Sequence, residues 1–129
     1  MKNCLCQGPP FDLGFITQKA RKYGLEYPLH YRSFDLHTIA AYEYFKIHGK
    51  FFLYKDHSGM DLTKILELCG LKDDRMSTDA KTGKVLKEGA PHNALTDIRL
   101  TAECFSRLVS GKNLLPEFAS KLLPKYLKV

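Results

Sequence analysis

Apolar positions return with a helical period at several places along this chain. Leu13, Ile16, Ala20 and Tyr23 fall at i, i+3, i+7 and i+10 after Phe11, which predicts a helix closed by Gly24. Leu36, Ala40, Tyr44 and Ile47 repeat the pattern at i, i+4, i+8 and i+11 and stop at Gly49. Leu62, Ile65, Leu66 and Cys69 predict a third helix, ended by Gly70. Ser58-Gly59-Met60-Asp61 ahead of it has the spacing of a capping box, with Asp in the acidic place. A fourth helix is expected from Ala94 to Ser110, with Leu95, Ile98, Ala102, Phe105, Leu108 and Val109 on one side and Gly111 at its end. Pro116 suits the first turn of a final helix carrying Phe118, Leu122 and Tyr126, which Pro124 breaks or kinks.

Extended segments are scarcer. Residues 31–35, Tyr-Arg-Ser-Phe-Asp, read as a short strand, and Lys50 to Lys55 as either a strand or a buried connection. Lys72 to Gly89 is polar, with few apolar residues, and predicts a mobile loop. Four or five amphipathic helices need a surface to cover. The pattern therefore leaves two architectures: a helical bundle with an incidental strand, or the helical part of an α/β domain whose sheet lies mostly elsewhere.

With 129 residues, 44% of them hydrophobic and 26% charged, the composition is that of one globular domain. No apolar run approaches the about 18 residues that a membrane helix needs, and the opening Met1-Lys2-Asn3-Cys4 is not a secretory signal, so a cytoplasmic protein with no membrane partner is expected. Lys+Arg 20 against Asp+Glu 14 leaves a net charge of +6, which favours an anionic partner. The basic residues are spread between Lys19, Arg21 and Lys22 near the start and Arg107, Lys112, Lys121, Lys125 and Lys128 at the end, a distribution more often found on a solvated surface than along a phosphate track. Cys4, Cys6, Cys69 and Cys104 lack the paired knuckles of a zinc site and read as free thiols, the last two as small core residues.

Two stretches carry candidate chemistry. In Ala90-Pro91-His92-Asn93-Ala94-Leu95-Thr96-Asp97, the histidine precedes the fourth helix and the aspartate sits in its first turn. Rigid backbone would fix the carboxylate while the loop lets the imidazole approach and take a proton from a water. Taken alone, Asp97 complements the helix dipole and His92 is an ordinary loop residue. In Gly8-Pro9-Pro10-Phe11-Asp12-Leu13-Gly14-Phe15-Ile16, Asp12 projects from the opening of the first helix, where an acid is favourable in any case.

These two stretches, with Tyr-Arg-Ser-Phe-Asp-Leu-His-Thr-Ile-Ala between them, resemble the later motifs of the DEDDh (DnaQ-like) 3′-to-5′ exonucleases, in the family's order over residues 5–110. The resemblance implies an α/β, ribonuclease-H-like fold in which Asp12 matches the second acidic motif, Asp97 the last metal-binding aspartate and His92 the general base. Asp35 matches a structural position. The family's opening Asp-x-Glu does not occur in the 129 residues. Two divalent cations about 4 Å apart need several carboxylates, and Asp12 with Asp97 supply too few. The expected reading of residues 1–129 is thus a partial exonuclease domain, its C-terminal portion, dominated by helices and lacking the first sheet strands. Those strands and their connections would add on the order of 50–70 residues ahead of Met1.

The implied cofactors are Mg2+ or Mn2+, two ions in a complete site and weak or partial binding here. The implied substrate is the 3′ end of single-stranded DNA or RNA, cleaved by two-metal chemistry with a histidine base, and the chain alone is expected to be inactive. Phe15 or Leu95 could stack on the terminal base, with core packing as the alternative for both. Self-association or a partner would cover the missing sheet. The competing reading is a non-catalytic nucleic-acid-binding or protein-interaction module on the same scaffold.

Overall fold

A computed structural model describes residues 2–75, 77–78, 82, 85–87 and 93–128. The chain is mixed α/β and divides into two compact units, Met1–Leu62 and Thr63–Val129.

The first unit opens with a β-α-β arrangement. Strand β1 (Lys2–Cys6) leads through Gly8 into helix α1 (Pro9–Lys22), and strand β2 (Leu29–Asp35) returns parallel to β1. Cys4 pairs with Ser33, Leu5 with Phe34 and Cys6 with Asp35. The sharp turn from strand to helix puts Gly8 at φ 69°, a left-handed conformation that a side chain would strain. Pro9 and Pro10 follow at the first helical positions, where a missing N–H costs nothing. Strand β1 is absent from the pattern of the sequence, because Lys-Asn-Cys-Leu-Cys has neither a clean alternation nor β-branched residues.

Helix α2 (Leu36–His48) follows β2 without a loop and is capped by Asp35. Its buried residues, Leu36 and Ala40, are the first two of the expected stripe. The Lys50–Lys55 segment resolves into one side of a small hairpin: strand β3 (Leu53–Tyr54) pairs antiparallel with β4 (His57–Ser58). Ser58 therefore lies in a strand and does not cap the next helix. Its Oγ accepts the Met60 N–H at 3.3 Å and lies 2.9 Å from His37 Nε2.

The second unit is built on helix α3 (Leu62–Leu68), whose first residue marks the border between the units, and on helix α4 (Ala94–Ser110). Between them, the segment expected to be a loop holds a short antiparallel pair, β5 (Ser77–Thr78) and β6 (Val85–Lys87). The expected last helix is instead two single 3-10 turns, Pro116–Phe118 and Lys125–Leu127, since two prolines so close leave no room for sustained i-to-i+4 bonding.

The buried face of α4 also differs from the expectation. Leu95, Ile98 and Val109 are exposed, whereas Leu100, Thr101, Glu103, Cys104, Arg107 and Leu108 are buried. The stripe is rotated because its centre is polar. Glu103 and Arg107 are one turn apart and fully buried, paired at 2.8 Å. Arg107 gives its other N–H groups to the carbonyls of Cys69, Phe118 and Lys121, while the second Glu103 oxygen accepts the Leu114 and Leu115 N–H groups. A charge pair of this kind tolerates burial only when its polar atoms are paired, and here each guanidinium nitrogen and each carboxylate oxygen has a hydrogen-bond partner. Cys69 and Cys104 are buried free thiols in this core, as their positions in the sequence imply.

Candidate functional site

In the first unit, the chemistry gathers where β1 and β2 end and the helices begin. Asp12 lies in the first turn of α1 and is exposed. Asp35, at the end of β2, is bound from three sides. Its Oδ1 accepts the N–H of Gly8 at 3.1 Å and that of His37 at 3.0 Å, and its Oδ2 accepts the Thr38 hydroxyl. One carboxylate thus caps α2 and pins the β1–α1 turn, the structural part expected for it. Burial alone would raise its pKa, but the bonds from Thr38, Gly8 and His37 outweigh that and hold it below the ordinary carboxylate value.

Beside it, an open groove of about 1180 Å³ runs between α1 and β2, lined by Phe11, Phe15, Arg21, Tyr27, Tyr31 and Asp35 among others. Phe15 is 55% exposed and meets Phe11 edge-on at 5.1 Å, so it is a groove residue and not part of the core. Burial, then the adjacent Cys4 thiol and the negative charges of Asp12 and Asp35, push the Cys6 thiol up to about 12, which leaves it protonated and unreactive at neutral pH.

In the second unit, Asp97 stands in the first turn of α4 as the sequence predicts. The helix starts there because Asn93 accepts the N–H groups of Leu95 and Thr96 at 3.1 and 3.2 Å. An Asn directly before an amphipathic run is a legible cap. Asp97 is bound by Arg75, whose Nη1 lies 3.2 Å from its Oδ1. The same guanidinium forks onto Asp73 at 2.9 and 2.8 Å and donates to Thr63 Oγ1 at 3.3 Å. Thr63 in turn donates to Asp73 at 2.6 Å. Leu95 is 66% exposed beside this cluster in the chain, again not a core residue.

His92 falls outside the described residues. Asp12 and Asp97 belong to different units. Among the described residues, no group of three or more His, Cys, Asp or Glu side chains gathers as a metal site. The one expected ligand of the second unit, Asp97, is engaged by an arginine. Arg75, Glu103 and Arg107 had no signal in the sequence, because a paired and a solvated arginine look alike until the partner is in place.

No helix among the described residues is long and apolar enough to cross a membrane. No protein-family model, no curated protein and no solved structure matches the chain.

Proposed function

We propose that the chain is part of a DEDDh-type, ribonuclease-H-like 3′-to-5′ exonuclease domain for single-stranded nucleic acid, and that it does not turn over substrate in the form of these 129 residues. The observation that carries this reading is the β1–α1–β2 unit, in which an acid stands in the first turn of a helix that leaves a parallel strand, followed in sequence order by Asp35 capping α2 and by Asp97 opening α4. A parallel pair of strands is rarely self-sufficient, and the exposed Phe11, Phe15, Tyr31 and Phe34 around it suit a larger sheet or a partner. The groove beside α1, with aromatic rings and Arg21, has the make-up of a surface for unpaired bases and phosphates.

The same scaffold as a non-catalytic nucleic-acid-binding or interaction module is favoured by one observation, the engagement of Asp97 by Arg75. A single assay separates the two. The purified chain is mixed with a labelled single strand and Mg2+ or Mn2+, and both anisotropy and strand length are followed. Binding without shortening is expected, and appending a strand segment that bears Asp-x-Glu should start shortening from the 3′ end. Shortening by the unmodified chain that Asp97→Ala abolishes would overturn the inactivity. Binding that never becomes shortening favours the module.

A further inference from the structure

Asp97 is engaged by a network that lies wholly within the second unit. Thr63 from α3, Asp73 and Arg75 from the segment that follows it, and Asp97 from α4 form one closed set of hydrogen bonds and ion pairs. Asp73 and Arg75 are each 19% exposed at the side chain and Asp97 27%, so the set is sheltered and not a loose surface pair. Two carboxylates share one guanidinium. The fork onto Asp73 fixes the plane of Arg75, and that plane delivers Nη1 to Asp97. Bonding to Arg75, above all, holds the Asp73 carboxyl well below the usual carboxylate range, and bonding to Asp73 followed by Asp97 raises the guanidinium further above its own.

We infer that Arg75 is the resident counter-ion of Asp97, positioned by Asp73 and Thr63, and that it excludes divalent cations from that carboxylate. Arg75 is a positioning residue here: it ties the 71–75 segment to both helices and decides what Asp97 can bind. A hydrated Mg2+ or Mn2+ meets at Asp97 a carboxylate whose Oδ1 is already held by a cation fixed through three other contacts. The inference rests on the reading above only in treating Asp97 as the carboxylate that matters, and its test measures ion binding and not strand cleavage, so either can fail without the other.

The experiment is a Mn2+ titration of the full chain, read by the electron paramagnetic resonance signal of free Mn2+, with thermal midpoints alongside. Arg75→Gln should bind Mn2+ at least tenfold more tightly than the wild type. Arg75→Gln with Asp97→Asn should return to the wild-type value. Arg75→Lys, which keeps the charge but loses the fork, should fall between them and guards against a misfolded Gln variant. Equal Mn2+ affinity in the wild type and both Arg75 variants would overturn the inference, as would a gain that survives Asp97→Asn. A lowered midpoint with no gain in Mn2+ affinity would reduce Arg75 to a structural brace and overturn it as well.

Discussion

The two units solve the problem of stability differently. Residues 63–129 bury Ile65, Leu66, Cys69, Leu100, Cys104 and Leu108 around a charged pair in which each guanidinium nitrogen and each carboxylate oxygen has a hydrogen-bond partner. Residues 1–62 bury few large side chains, chiefly Leu36, Met60 and Leu62, and leave Phe11, Phe15, Tyr31, Phe34, Phe51 and Tyr54 exposed around two strands and a hairpin. In the second unit polar groups are spent on closing a core. In the first they are spent on capping, and much apolar surface stays available for contact.

The largest effect should come from breaking the buried pair. Glu103→Ala leaves Arg107 charged and buried without its partner, together with two unpaired backbone N–H groups, and should cost about 3–5 kcal/mol. Thermal denaturation followed by circular dichroism measures it, and hydrogen exchange should show the loss in residues 63–129 and not in β1–α2. An equal loss in both would mean that the units do not differ as their burial implies.

Gly70→Ala is next. Gly70 has φ 70°, and an added Cβ would sit 2.9 Å from the Pro124 ring and 3.3 Å from the Leu122 carbonyl. Left-handed strain and a clash with the proline ring should together cost about 1–3 kcal/mol. Gly59→Ala, its counterpart in the first unit, meets only the Phe52 ring. A ring can rotate away, so its midpoint should fall less than that of Gly70→Ala.

Asp35→Ala removes the cap of α2 and the brace on Gly8, for about 1–2 kcal/mol in the first unit. Acid should act in the same direction. The folded pKa values of Asp35 and Asp73 both lie below their unfolded ones, so their contributions are complete above the unfolded value of about 3.9 and vanish as pH falls through the folded values. A midpoint that holds steady from pH 5 down to 2 would contradict both networks.

The smallest effect on stability, within about 0.5 kcal/mol, is expected for Phe15→Ser, because the ring is exposed. Its effect on binding to a fluorescent single strand should be larger than that of Tyr54→Ser on the β3–β4 hairpin. Equal effects would remove the groove as the preferred contact surface.

What could be read in the sequence follows from how local each feature is. The helix ends at Gly49 and Gly111 and the acids in the first turns of α1 and α4 depend on a few neighbouring residues, and the structure has them where the pattern puts them. The strand β1 was not legible, since it is held by its pairing with β2, about 30 residues away, and not by its own propensity. The β5–β6 pair was hidden for the same reason, and the rotated face of α4 because the periodicity rule counts Glu103 and Arg107 as solvent-facing.

By itself, the sequence determined the first four helical segments and the glycines that end them. Only the tertiary structure decided which face of α4 is inside, that Phe15 and Leu95 are outside, and that Asp97 is bound to Arg75. Periodicity reports how residues repeat along one element, whereas burial of a charge and the identity of its partner depend on atoms that arrive from other elements. Arg75 and Asp97 lie 22 positions apart, and only the fold brings the guanidinium to the carboxylate.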